Sequence, residues 1–208
     1  QGCSPEESHE WSHLIYNPGA YEVNEAASYR FNRHRPFYAR MPGRTSAVFD
    51  LPLVGLVDGV EGCQALGWGT EANQILRQSA PEGLMDDLIA RHGSHPLYNT
   101  YRHSDEGDPV ISYRIPTIYD QEGLRALRDM LVSATDQRTD IILDLMQGGR
   151  RDLVLAAYGE THTAGHMFWH LGRGHPLAAS ARAAGTGDYL RDVCQAIDRG
   201  LARIADAA

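Results

Sequence analysis

The stretch from Asp152 to His170, DLVLAAYGETHTAGHMFWH, constrains this chain more than any other. It begins with an apolar run, Leu153 to Ala157, bounded by Arg150, Arg151 and Asp152 on one side and by Gly159 on the other. A run that short and that uniformly apolar reads as a buried strand of an α/β sheet covered on both faces. Glu160, His162 and His166 follow at once, and the four-residue step between the histidines stacks their rings on one face of a helix. Open α/β sheets place their ligands outside the carboxyl ends of the strands, so a metal site is expected here. His162 and His166 are the candidate metal ligands. Glu160 is either a third ligand or the carboxylate that orients one of the histidines.

The flanking pattern fits the same architecture. Ser46 to Leu53 reads as a short buried strand ended by Pro52, and Val60 to Gly69 as an extended segment interrupted by glycines. PEGLMDDLIARHG reads as a helix with Pro81 in its first turn, Leu84, Leu88 and Ile89 on one face, and Gly93 as the C-cap. Val110 to Ile115 alternates like an edge strand. From an Asp120 N-cap, Leu124, Leu127, Leu131, Ala134, Ile141, Ile142 and Leu145 mark the longest helix, which Gly148-Gly149 stops and Thr135 to Thr139 weakens. Asp188 to Ala205 closes the chain as a helix with an apolar face of Leu190, Val193, Cys194, Ile197, Leu201 and Ile204. Only residues 1–45 lack a sustained period, with turn signals at Ser4-Pro5 and Asn17-Pro18-Gly19. The expected fold is α/β: a mostly parallel central sheet with helices on both faces, in a single domain over 1–208 with 94–119 as a small insertion.

Composition narrows the function classes. The net charge of −8 argues against a nucleic-acid backbone footprint. No apolar run is long enough to span a bilayer and the first residues carry no signal pattern, so a cytoplasmic protein with no membrane partner is expected. All nineteen basic residues are arginine. That removes lysine nucleophiles and makes any anion clamp a planar guanidinium. Cys3, Cys63 and Cys194 are too dispersed for a disulfide framework or a zinc knuckle, and Cys194 is expected in the core.

The segment GETHTAGHMFWH, followed by His175-Pro176 and a long helix, resembles the type I phosphodiesterase/nucleotide pyrophosphatase branch of the alkaline phosphatase superfamily. That branch carries a strand leading into an acidic-Thr-Asp-x-x-x-His-x-x-Trp segment and a His-Pro turn. Upstream, GCSPEESHEW is similar to the segment after the family's nucleophile, Val48 to Pro52 to its strand ending in Val-Pro, and PEGLMDDLIARHG to its Pro-x-x-Leu helix.

The resemblance implies two divalent metals, usually zinc, at the strand ends. His166 matches the family histidine, and His162 stands where the aspartate usually is, which makes the site one unit less negative. It also implies hydrolysis of a small-molecule phosphate or sulfate ester, with Trp169 and His170 as substrate contacts, Phe168 and Trp169 as leaving-group wall or core, and Arg173 and His175 as further anion contacts. By the family's order the nucleophile would lie before Gly2 and an Asp-His pair beyond Ala208, so the expectation is the central, incomplete segment of a longer chain. The competing expectation is a non-catalytic module of the same fold that binds a ligand or a partner, with a homo-oligomer left open. A single-metal hydrolase of the zincin kind is disfavoured, because the order His-Glu-x-x-His is absent.

Overall fold

The computed structural model describes residues 14–25, 35–52, 54–69, 77–97, 101–103, 109–111, 116–183 and 185–208. Cys3, Ser4, His9 and the Gly2 to Trp11 segment lie outside the described residues. The first described element is a hairpin in which β1 (Leu14–Asn17) pairs antiparallel with β2 (Glu22–Glu25). Its turn uses the Asn17 side chain, whose Oδ1 accepts the Gly19 N–H at 3.1 Å. The turn signal is therefore realised, although strands were not expected on either side of it.

The central sheet is built on β3 (Ser46–Phe49), which pairs in parallel with β4 (Gly62–Leu66) and with β8 (Leu153–Ala156). The antiparallel strand β5 (Gln78–Ala80) completes the order β5-β4-β3-β8. The protein is thus α/β with a mixed, largely parallel four-stranded sheet. A separate two-stranded sheet joins β6 (Tyr101–His103) to β7 (Pro109–Ile111).

The helices are α1 (Leu84–His92), α2 (Gln121–Gln147), α3 (Glu160–Phe168), α4 (Ala178–Ala183) and α5 (Tyr189–Ala207). Both long helices begin at an aspartate cap: Asp120 accepts the Gly123 N–H at 2.9 Å and Asp188 the Arg191 N–H at 3.3 Å. α1 starts at Leu84, one turn later than expected, because Pro81 to Gly83 form a turn and Gly83 has φ +83°. No helix among the described residues is long and apolar enough to cross a membrane.

Alternation along the parallel strands separates two packing faces. Ala47, Phe49, Cys63 and Ala65 form one face and bury against Met85 and Leu88 of α1 and Ile141, Ile142 and Leu145 of α2. Val48 and Leu66 form the other face, which packs on Tyr38, Ala39 and Val57. Helices were expected on both faces, yet among the described residues the second is covered by the 3-10 turn at Phe37–Ala39 and by loop residues. The Gln64 side chain serves there as an extra strand partner: its Nε2 donates to Val57 O at 2.8 Å and its Oε1 accepts the Val57 N–H at 3.1 Å.

Two expectations about burial are corrected. β8 is an edge strand whose four residues are only partly buried, because among the described residues β3 is its one neighbour. The buried residues of α5 are Tyr189, Val193, Ala196 and Gly200; of the expected stripe Val193 is among them and Leu190 and Ile204 pack partly buried on the core, whereas Leu201 and Cys194 are exposed. Small residues decide this. A Cβ at Gly200 would collide with Thr139 Oγ1 and lie 3.0 Å from Tyr158 OH, so α2 and α5 approach closely only because there is none. Thr135 and Thr139, expected to weaken α2, donate their hydroxyl protons to Leu131 O and Thr135 O at 2.9 and 2.8 Å and are buried inside one unbroken helix.

Candidate functional site

Three segments leave the sheet at the same end. Asp50 follows β3 with φ +49°, Trp68 follows β4, and Glu160 opens α3 after β8. Buried between them lies Arg138, delivered by the middle of α2. Its Nε donates to both Glu160 oxygens at 2.9 and 3.0 Å, and its Nη1 lies 2.7 Å from Asp50 Oδ2. The guanidinium carbon stands 5.1 Å from the Trp68 ring centroid and 5.6 Å from that of Phe49, so aromatic faces cover the charge.

Each member of the cluster is positioned by a further contact. Asp50 Oδ1 accepts the Trp68 N–H at 2.8 Å, and the Trp68 indole N–H donates to Gly93 O at 3.0 Å. His95 packs edge-on against Trp68 with ring centroids 5.0 Å apart. Its Nδ1 accepts the Leu97 N–H at 3.1 Å, which leaves Nε2 facing Glu160 Oε1 at 3.3 Å. Gly69 has no room for a side chain, since a Cβ would strike both the Arg138 guanidinium and the Asp50 carboxylate.

The electrostatics follow from burial and pairing. Burial alone would raise the Glu160 pKa, but the Arg138 charge, helped by His95, holds it at about 2. Burial alone would lower the Arg138 pKa, and Glu160 and then Asp50 reverse that, so the guanidinium stays charged. Glu160 also occupies the first position of α3, where the helix dipole favours a carboxylate.

His162 and His166 lie outside this buried cluster. α3 carries both on an exposed face with ring centroids 4.6 Å apart and planes at 71°. Glu160, the third candidate ligand, is fully buried and bonded to Arg138 through both oxygens. Among the described residues no three His, Cys, Asp or Glu side chains are grouped so that they could hold a metal ion. The donor chemistry of two adjacent imidazoles fits zinc, as two of the four ligands of a tetrahedral shell.

The two aromatic residues after the histidines part ways. Phe168 is fully buried against Leu124, Leu127 and Tyr189, whereas Trp169 is 69% exposed. Trp169, Arg173 and His175 line a cleft of about 590 Å³ together with Asp188, Arg191 and Cys194. His170 turns inward instead, its Nε2 buried; burial and then the nearby His175 lower its pKa.

Sequence reasoning did not single out Asp50, His95 or Arg138 for the site. Arg138 carried a signal nonetheless, since it falls on the buried stripe between Ala134 and Ile141 at a position where a solvated arginine has no place. No family model matches the chain, and no curated protein or solved structure shows significant similarity to it.

Proposed function

We propose that the protein is a metal-dependent hydrolase of small phosphate or sulfate esters, of the alkaline-phosphatase-like kind, whose exposed imidazole pair supplies part of a metal site. The single observation that carries this reading is the pairing of His162 and His166, 4.6 Å apart on a solvent-facing helix that directly follows a parallel strand. The resemblance of GETHTAGHMFWH to the family segment supports it, with His162 in the aspartate position.

In this reading His162 and His166 would hold a divalent ion, with zinc favoured by the nitrogen donors. A bound ion supplies Lewis acidity toward phosphoryl or sulfuryl oxygens and offsets the repulsion between an anionic ester and its attacker. The chain's own contribution is positional. The Arg138–Glu160 pair anchors the first residue of α3 to α2, and the Asp50 contact ties the same guanidinium to the end of β3. The imidazoles thereby stand on a fixed base two and six residues beyond Glu160.

A second reading, a non-catalytic module of the same fold, is favoured by one observation. The carboxylates after the strands, Asp50 and Glu160, are both paired with Arg138 of α2, and Arg138 and Glu160 are buried. Zinc titration followed by ester hydrolysis separates the two. The hydrolase reading expects saturable zinc binding that His166→Ala weakens at least ~10-fold, and zinc-dependent cleavage of p-nitrophenyl esters abolished by His162→Ala. Zinc binding unchanged in His166→Ala would sink the metal site. Intact zinc binding without cleavage of phosphate or sulfate esters would leave the module.

A further inference from the structure

The cleft beside Trp169 carries chemistry that the imidazole pair does not use. Its volume, about 590 Å³, lies within the range of small-molecule sites. The exposed indole of Trp169 lines it, as do the first turns of α5 with Arg191 and Cys194. Arg173 and His175 come from the turn between them.

Charge decides what such a cleft accepts. Its one carboxylate, Asp188, is engaged as the N-cap of α5, accepting the Arg191 N–H. Among the described residues neither Arg173 nor Arg191 forms an ion pair, whereas arginines such as Arg44, Arg91, Arg128 and Arg203 do. Two unpaired guanidinium groups beside an exposed indole, at the positive end of a nineteen-residue helix, form an environment for a negative charge carried on a flat apolar body. Trp169 opens the 3-10 turn that directly follows α3, three residues after His166.

We infer that this cleft is a binding site for a small aromatic anion, a planar ring system bearing a sulfonate, carboxylate or phosphate. Trp169 stacks on the ring, and Arg173 and Arg191 contact the anionic group. Trp169, Arg173 and His175 are also the contacts the hydrolase reading expects for its substrate, so the inference deepens that reading with Arg191 and α5, while the binding itself needs no metal.

Cys194 provides a local reporter, because it is exposed in the cleft while Cys63 is buried. The probe is naphthalene-2-sulfonate, which has no ester to cleave, added to the full chain in EDTA. Calorimetry should show saturable one-to-one binding, and peptide mass spectrometry should show iodoacetamide alkylation at Cys194 slowed at least ~5-fold at saturation. Trp169→Ala and the double change Arg173→Ala with Arg191→Ala should each weaken binding at least ~10-fold. The cation 2-naphthylmethylammonium should neither bind nor protect.

Absence of saturable binding, equal binding of the cation, or affinity unchanged in both variants overturns the inference. Because all the altered side chains are exposed or at the cleft surface, circular dichroism should remain as in the wild type. If the double variant fails to fold, Trp169→Ala and the cation control still decide. Zinc binding at the imidazoles is measured separately without EDTA, so failure of either site is distinguishable from failure of the other.

Discussion

Arg138 Nε reaches both oxygens of Glu160, at 2.9 and 3.0 Å, from a helix position 22 residues earlier, and neither side chain is open to solvent. The pair fastens the helix that bears the imidazoles to the longest helix of the fold. Removing one partner takes from a buried charge its main compensation, leaving Arg138 with Asp50 alone or Glu160 with His95 alone. Glu160→Gln and Arg138→Met should therefore each lower unfolding stability by about 3–5 kcal/mol in urea titrations. A loss below about 1 kcal/mol for both would show that the pair does not anchor α3.

Acid sensitivity should follow from the same pair. The folded pKa of Glu160 is about 2, depressed from an ordinary value of 4.5. Its stabilisation is fully present above pH 4.5 and is lost as pH falls toward 2, because the unfolded chain takes up the proton first. The linkage amounts to about 3 kcal/mol. Stability measured between pH 5 and pH 2 should fall less steeply in Glu160→Gln than in the wild type. Parallel pH profiles would refute this assignment.

The close packing of α2 on α5 makes an uneven forecast for neighbouring residues. Gly200→Leu should destabilise by about 1–3 kcal/mol or more, since the new side chain meets Thr139 and Tyr158. Leu201→Ser, at a residue that is 51% exposed, should cost no more than about 0.5 kcal/mol. Thermal unfolding of the two variants would check the contrast, and the reverse order would overturn the placement of this face.

Replacing the exposed imidazoles should separate stability from binding. His162→Ala and His166→Ala should each change unfolding stability by no more than about 0.5 kcal/mol, because both positions face solvent. In the presence of zinc the wild type should gain thermal stability and the variants should not. A large loss of stability in metal-free buffer would mark the histidines as packing residues.

Much of this architecture could be read from the chain because strong periods and caps announce it. Leu124 to Leu145 keep one helical phase over the length of α2, and Asp120 and Asp188 cap where a carboxylate should. The apolar face of α5 was only partly placed: Val193 is buried as expected, but large residues dominate a hydrophobic pattern, whereas Ala196 and Gly200 make their contact by being small. The site divides in the same manner. The spacing of His162 and His166 is local and visible, but the Asp50, His95 and Arg138 cluster joins three remote segments, and no pattern within any one of them records that meeting.

Among the described residues β8 has a partner on one side only. An extended segment pairing along its other side would continue the sheet, in either direction. Whichever way such a segment ran, one of its ends would arrive beside the start of α3. Lengthening the sheet would then also add backbone at the base of the helix that carries the two imidazoles.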